Sequence, residues 1–153
     1  MINTEHVLAI SIATQKIGCA FFIDGTPYDW RVSETASQSL ITARDFAADW
    51  MEYYQPQLLV TERMDPQSRK GSFSRDINNA IMAEAQKQGI EIMCVDRMQR
   101  YANKYAEAKA LAERFPELQP YVPKPRRQWE SEPRNIGIFV AVGLGLQAIE
   151  TVD

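Results

Sequence analysis

Residues 6–32 of the chain read HVLAISIATQKIGCAFFIDGTPYDWRV. Three strand-length segments can be distinguished in this stretch, at residues 6–14, 16–23 and 28–32. The dipeptide Asp24-Gly25, between the second and the third segment, is typical of a β-hairpin turn. Because short links join all three segments, the sequence predicts that the chain opens with an antiparallel meander.

The rest of the chain alternates between helical and strand patterns. Helices are indicated by apolar residues at helical spacing, with Ser37 or Ser39 as the N-cap of the first. Strands are indicated by short apolar runs, which are typical of buried parallel strands. The last segment is apolar nearly all round and predicts a buried helix, with a strand as the alternative because it contains three glycines. The predicted helices span residues 37–54, 76–88, 98–115 and 135–149, and the predicted strands span residues 58–61 and 90–95.

The order β-β-β-α-β-α-β-α-α predicts an α/β fold with a mixed five-stranded sheet and helices on both faces. The length of 153 residues fits a single domain, with a proline-rich strap at residues 116–133. Ligand sites in such sheets lie at the carboxyl ends of the central strands. We therefore expect the strand ends near Ser11, Glu62 and Asp96 to meet at one edge of the sheet.

The composition excludes several classes of protein. A chain that is 45% hydrophobic and 24% charged is not intrinsically disordered. The two cysteines and the single histidine have no metal-ligand spacing, and no apolar run is long enough for a membrane span. No segment resembles a signal peptide. We therefore expect a cytoplasmic protein with reduced thiols and no membrane partner.

The charge is divided unevenly along the chain. The net charge is −3, yet residues 97–134 carry nine Lys and Arg against five Asp and Glu. A basic segment on an acidic body is compatible with the binding of a polyanion on one face. It is equally compatible with solvated helices, and charge alone does not separate the two interpretations.

The strand and helix order resembles the ribonuclease H-like fold, and four passages are similar to the RuvC-type Holliday junction resolvases within it. The resemblance covers nearly the whole chain in order and spacing. It implies binding to DNA, including branched DNA, as a homodimer, and a requirement for Mg²⁺ or Mn²⁺ in active members. The four passages are the opening strand with its hairpin (residues 8–14 and 17–21), the strand that ends in a glutamate (59–62), the Lys- and Ala-rich helix after the fifth strand, and the final helix (138–145).

The same resemblance implies catalytic acids at the positions of Ser11, Glu62 and Val140, of which only Glu62 is acidic. Hydrolysis of a phosphodiester by this fold uses two Mg²⁺ ions about 4 Å apart, held by converging carboxylates. A serine hydroxyl is a weak neutral ligand, and a valine is none. The resemblance therefore implies the scaffold of a resolvase with an incomplete catalytic centre.

A displaced set of carboxylates is an alternative way to hold Mg²⁺ or Mn²⁺. Asp96 ends the neighbouring strand and Glu132 precedes the final helix, so both are candidate metal ligands together with Glu62. The alternative role of Asp96 is to cap the end of a strand or helix. Glu132 is alternatively a counter-charge to nearby arginines, and Glu62 alternatively pairs with Arg63 or an amide.

Two clusters of basic and aromatic residues are candidates for nucleic-acid binding. Cationic side chains pair with phosphates, and exposed aromatic rings stack on bases. Alternatively, Phe73 packs on the start of the following helix, and Trp129 anchors the strap on the sheet. The first cluster lies in the predicted loop 63–75 and contains Arg63, Arg69, Lys70, Phe73 and Arg75; the second lies in the strap and contains Lys124, Arg126, Arg127 and Trp129.

Three functions are compatible with these observations. The first is a module that binds branched or structured DNA with an incomplete catalytic centre. The second is an active Mg²⁺- or Mn²⁺-dependent endodeoxyribonuclease with displaced carboxylates, and the third is a protein-interaction or structural module. The missing acids at Ser11 and Val140 count against the enzyme, and the overall acidity counts against the DNA binder. Residues 10–16 also resemble the first phosphate loop of actin-like ATPases, which need a second such domain.

Overall fold

The structure is a computed structural model that describes residues 2–65 and 71–152. Its elements follow the predicted order, and the last segment is a helix rather than a strand. Short 3₁₀ helices lie at Ala36–Gln38 and Pro116–Tyr121. The strands are β1 (His6–Ala13), β2 (Lys16–Ile23), β3 (Thr26–Ser33), β4 (Leu58–Glu62) and β5 (Glu91–Val95); the helices are α1 (Leu40–Tyr54), α2 (Ser72–Lys87), α3 (Lys104–Arg114) and α4 (Ile136–Val152).

The strands form one mixed sheet in the order β3-β2-β1-β4-β5. Strand β1 is antiparallel to β2 and parallel to β4, and β4 is parallel to β5. The carboxyl ends of β1, β4 and β5 therefore lie at the same edge, which confirms the predicted meeting of the three strand ends. The register pairs Ile10 with Thr61, so the next residues, Ser11 and Glu62, lie level with each other.

The central strands are largely apolar because both faces of the sheet are covered. In β1, Val7 and Ala9 belong to a core shared with α3 and α4, whereas Leu8 and Ile10 belong to a core shared with α1 and α2. Side chains do not alternate between apolar and polar along a strand that is buried on both faces. Ser11 follows the parity of Val7 and Ala9, so its side chain lies on the α4 side of the sheet.

Helix α4 packs against β1 and β2 at a distance that only small residues allow. A Cβ atom at Gly145 would lie 2.3 Å from Cε1 of the buried Phe22 ring. The glycines that weaken this segment as an isolated helix therefore permit its burial in the domain, and tertiary packing decides its conformation. In the described residues, no helix is both long and apolar enough to cross a membrane.

Two helices, α3 and α2, begin four or more residues away from their predicted starts. Helix α3 begins at Lys104 rather than at residue 98, because the Asn103 side chain accepts a hydrogen bond from the Ala106 N–H (2.9 Å) and caps the helix there. Helix α2 begins at Ser72, after an extended Gly71, rather than at residue 76. Phe73 and Arg75 are therefore helical and not part of a loop.

The two remaining local predictions concern the first helix and the strap. Ser39, rather than Ser37, is the N-cap of α1 and forms a capping box with Thr42. In the proline-rich strap, Pro116–Tyr121 form a 3₁₀ helix. Pro116 is compatible with this helix because it occupies the first turn, where a backbone N–H has no helical partner.

Candidate functional site

A small cavity lies at the carboxyl ends of β1 and β4, beneath the first turn of α4. Its volume is about 120 Å³, and it brings Ser11, Glu62 and Val140 together. These are the positions at which the family resemblance implies catalytic acids. The other lining residues are Ile12, Ala13, Lys16, Arg97, Lys104, Glu132, Ile136 and Gly137.

The side chain of Ser11 is engaged with the start of α4. Ser11 is 5% exposed, and its hydroxyl donates a hydrogen bond to the Gly137 carbonyl oxygen (3.1 Å). Gly18 is the partner of Ser11 across the β1–β2 ladder. A Cβ atom at Gly18 would lie 2.2 Å from the Gly137 carbonyl oxygen and 2.9 Å from Ser11 Oγ. The absence of a side chain at Gly18 therefore lets the sheet contact the α4 backbone directly.

Glu132, in the strap, is held between two ammonium groups. Its Oε1 lies 3.6 Å from Lys16 Nζ, and its Oε2 lies 3.4 Å from Lys104 Nζ. Lys16 also donates to the carbonyl oxygens of Glu132 (3.2 Å) and Pro133 (3.3 Å). This lysine therefore joins the β1–β2 hairpin to the residues immediately before α4.

A second ion pair closes the other side of the cavity. Arg97 Nη2 donates to Glu107 Oε1 at 2.9 Å, and both side chains are largely buried. Burial raises the pKa of the Glu107 carboxyl, and the positive charges of Arg97 and Lys104 oppose that shift. Glu107 lies against Gly143, where a Cβ atom would be 3.3 Å from Glu107 Oε2. The pair therefore joins the segment after β5 to α3, where Glu107 packs against α4.

The predicted metal ligands Glu62, Asp96 and Glu132 do not come together. Glu62 and Glu132 line the cavity, but Asp96 does not. Its side chain is 83% exposed, and its carboxylate lies 3.2 Å from Arg63 Nε. Across residues 2–65 and 71–152, no three His, Cys, Asp or Glu side chains form a group that could hold a metal ion. Asp96, which follows the last residue of β5, therefore does not line the cavity together with Glu62 and Glu132.

A larger groove continues from the cavity along the strap. Its volume is about 640 Å³, and it shares Ala13, Lys16, Lys104 and Glu132 with the cavity. Within the described part of the chain, the cavity and groove are lined by five cationic side chains and three carboxylates. These are Lys16, Arg97, Lys104, Arg126 and Arg134, with Glu34, Glu62 and Glu132.

Sequence reasoning missed four of these five cations, namely Lys16, Arg97, Lys104 and Arg134, as site residues. A signal was present at Lys104, because a cation in the first turn of a helix is unfavourable next to the positive end of the helix dipole. Such a residue indicates a nearby anion. No comparable signal identifies Lys16, which lies 116 residues before Glu132 in sequence.

The predicted DNA-binding residues of the strap are exposed, and one interpretation of Trp129 is wrong. Trp129 is 79% exposed and does not anchor the strap; Arg127 lies over its ring at 5.8 Å. The strap is anchored instead by the fully buried Leu118, which belongs to the core shared with α3 and α4, and by polar contacts, including those from Lys16. Others are a hydrogen bond from the Arg126 N–H to the Tyr105 hydroxyl (3.2 Å) and one from Asn135 Nδ2 to the Tyr121 carbonyl oxygen (3.2 Å). Lys124 is also exposed.

The first predicted cluster is only partly described. Arg63 is exposed in its pair with Asp96, and Phe73, in the first turn of α2, is 46% exposed. Arg75 lies in the same turn. Arg69 and Lys70, the other two cations predicted to bind DNA, lie outside the described residues.

Neither a protein-family model nor a curated protein sequence matches the chain. Among solved structures, T. thermophilus RuvC in complex with a Holliday junction substrate is similar with a TM-score of 0.69 and 13% identity, over 96% of this chain and 94% of that chain. Fowlpox virus resolvase in complex with substrate Holliday junction DNA is similar with a TM-score of 0.68 and 13% identity, over 96% and 98%. The yeast mitochondrial Holliday junction resolvase is similar with a TM-score of 0.57 and 12% identity, over 95% and 81%. The fold is therefore the ribonuclease H-like fold of RuvC and other Holliday junction resolvases, as the resemblance predicted.

Proposed function

We propose that this protein binds branched or structured DNA on a RuvC-like scaffold and does not cleave it by two-metal hydrolysis. One observation carries the proposal: the cavity that contains Ser11, Glu62 and Val140 also contains Glu132 bridged between two ammonium groups. Support for DNA as the partner comes from similar structures that hold Holliday junctions.

The donor set of the cavity does not fit a pair of divalent ions. Mg²⁺ takes oxygen ligands, with carboxylates supplying the negative charge. Ser11 directs its hydroxyl hydrogen to Gly137, Val140 has no donor atom, and Glu132 is already paired with Lys16 and Lys104. Additional cations in the cavity meet repulsion from those ammonium groups. We therefore derive no reaction step through a metal ion.

Binding of DNA to the groove requires contacts to its phosphates, and the groove supplies suitable side chains. Arg126 and Arg134 line the groove beyond the cavity, and both side chains are exposed. Contacts of this kind position the nucleic acid without reading its sequence. Trp129 supplies an exposed ring for stacking on an unpaired base. We include the remaining cations of the strap and of the predicted loop 63–75 as further phosphate contacts: Lys124, Arg127, Arg63, Arg69, Lys70 and Arg75.

The proposal extends to assembly and compartment. A four-way junction has approximate two-fold symmetry, and a two-fold dimer presents the same groove to both halves of it. We therefore propose a homodimer on DNA, to be measured by light scattering with and without a junction. The proposed compartment is the cytoplasm, because Cys19 and Cys94 are both free thiols.

The test compares binding of a labelled four-way junction and a matched linear duplex, in EDTA, at two salt concentrations. The proposal predicts tighter binding of the junction, with an affinity that falls as the salt concentration rises. Absence of binding to both DNAs at micromolar protein contradicts the proposal and favours a protein-interaction module.

The second candidate is an endonuclease that uses displaced carboxylates, favoured by the presence of both Glu62 and Glu132 in the cavity. It predicts Mn²⁺-dependent cleavage of the junction that is abolished by Glu62→Gln while binding is retained. Cleavage at the wild-type rate in Glu62→Gln excludes Glu62 as a metal ligand. Absence of cleavage by the wild-type protein agrees with the first candidate.

A further inference from the structure

The bridge between Lys16, Glu132 and Lys104 has the geometry of an occupied anion site. Each oxygen of one carboxylate faces a different ammonium group, at 3.6 Å and 3.4 Å. A phosphodiester carries one negative charge and two non-bridging oxygens, so it offers the same arrangement of acceptors as the carboxylate. The lysine pair therefore does not discriminate between the two by charge or by number of acceptors.

Positive charge faces both oxygens of the Glu132 carboxylate. Lys104 is the first residue of α3, and its ammonium group also acts electrostatically on the buried Glu107 carboxyl. Lys16 adds a second ammonium group beside Glu132, with 12% of its side chain exposed. Two cations thus lie on either side of one carboxylate that reaches the open groove.

The backbone around Glu132 is held independently of its carboxylate. Lys16 donates to the carbonyl oxygens of Glu132 and Pro133, and these bonds persist when the carboxylate turns away. The Glu132 side chain is 32% exposed and lines the open groove as well as the cavity. Rotation of the carboxylate into the groove therefore leaves the strap in place and both ammonium groups available.

We propose that the position between Lys16 Nζ and Lys104 Nζ is a phosphate subsite, and that Glu132 is an internal competitor which occupies it in the free protein. A DNA phosphate displaces the carboxylate when the strand lies in the groove. This inference deepens the proposed function and rests on it. It assigns to Glu132 an effect on affinity opposite to that of a metal ligand or of a purely structural bridge.

The experiment measures the affinity for the junction in EDTA for Glu132→Gln, with Glu113→Gln as the matched control. Glu113 is an exposed residue near the other end of α3 from Lys104, so the control variant loses the same charge away from the lysine bridge. Glu132→Gln is expected to bind about 3- to 10-fold more tightly than Glu113→Gln at low salt, because the phosphate no longer competes with a carboxylate. Equal affinities in the two variants, or weaker binding by Glu132→Gln, overturn the inference.

A double variant shows whether the gain acts through the lysines. Lys104→Met is expected to weaken binding and to lower the slope of log affinity against log salt by about one. In the Lys104→Met background, the additional change Glu132→Gln is expected to give less than half of its gain in the wild-type background. If Glu132→Gln tightens junction binding as much in the Lys104→Met background as in the wild-type background, the inference is wrong. The control for the lysine change is Lys109→Met, at an exposed position of the same helix.

A small anion separates this inference from the proposed function. The probe is inorganic phosphate, titrated at constant ionic strength while the midpoint of thermal unfolding is followed. A ligand that binds only the folded state raises this midpoint. The inference predicts a larger rise for Glu132→Gln than for Glu132→Gln/Lys104→Met. This result, together with no binding of DNA by the wild-type protein, rejects the proposed function and keeps the subsite. If phosphate raises the unfolding midpoint equally in the two variants, the subsite is wrong, whether or not the protein binds DNA.

Discussion

Replacement of Gly18 by alanine tests the contact between the sheet and α4 that shapes the cavity. A Cβ atom at this position would lie 2.2 Å from the Gly137 carbonyl oxygen, whereas ordinary contact begins near 3.4 Å. The sheet and the start of α4 must therefore separate by about 1 Å. The obstacle is backbone, so no side-chain rotation relieves it.

Overpacking of this kind lowers the free energy of unfolding by about 3 kcal/mol. For a domain of this size, that corresponds to a fall in Tm of about 6–12 °C. Separation of the two elements also removes the hydrogen bond from Ser11 to Gly137, so the cavity changes shape in the same variant. Urea unfolding followed by circular dichroism gives the free energy, and differential scanning calorimetry gives Tm.

Gly143→Ala is the comparison, because it introduces the same methyl group into the middle of α4. Its Cβ atom would lie 3.3 Å from Glu107 Oε2, and alanine is favoured over glycine in a helix by about 1 kcal/mol. The two effects oppose each other, so the stability of Gly143→Ala should stay within about 1 kcal/mol of wild type. A Gly18→Ala variant that is as stable as wild type, or more stable than Gly143→Ala, contradicts a backbone clash at residue 18.

Three further predictions concern Trp129, Glu107 and Glu62. Trp129→Ala should leave the free energy of unfolding within about 0.5 kcal/mol of wild type, because the ring is exposed. The same variant should weaken binding to a junction with unpaired bases by about 1–3 kcal/mol. A larger loss of stability would show that Trp129 anchors the strap. Burial raises the pKa of Glu107 in the folded state, so the folded protein retains this proton at a pH where the unfolded chain has lost it. The free energy of unfolding of the wild type should therefore fall, relative to that of Glu107→Gln, as pH rises above about 4.5. Urea unfolding at a series of pH values measures it. If the free energies of the two proteins change with pH in parallel, this prediction is wrong. Glu62→Gln should leave junction binding in EDTA within about twofold or tighten it, by removal of a negative charge near the groove, and a large loss of binding measured by fluorescence anisotropy contradicts the assignment of the groove as an anion surface.

The strands and the topology could be predicted because local pattern and burial agree there. Residues 7–10 are apolar on both sides, and a sheet covered on both faces favours that composition. The turn at Asp24-Gly25 is decided by two residues with positive φ angles, 50° and 80°, which this dipeptide readily adopts. These are local properties, and the sequence contains them without reference to the rest of the fold.

The helix boundaries were less predictable because caps compete with good helix formers. Residues 98–103 include residues that favour helices, yet Asn103 caps the helix and residue 104 starts it. In the other direction, Gly71 lets α2 start four residues before the predicted position. Such outcomes depend on a single side-chain or backbone hydrogen bond, and apolar periodicity does not report it.

The site itself could be predicted only in part. The position of Ser11, Glu62 and Val140 in one cavity followed from strand order and from the family resemblance. The bridge from Lys16 to Glu132 joins residues 116 positions apart, and no spacing rule connects them. Asp96 follows β5 at the same edge of the sheet, but the end of a strand does not determine where the next side chain points once the strand pairing has stopped.

The proposed function assigns the cavity to the binding of DNA without a metal ion. The most direct measurement is the affinity for a four-way junction in EDTA and in Mn²⁺, with the DNA recovered and analysed after each titration. The proposed function predicts the same preference for the junction over a duplex in both conditions, and it predicts that the DNA stays intact in both. Binding that requires Mn²⁺, together with cleaved DNA that disappears in Glu62→Gln, contradicts it.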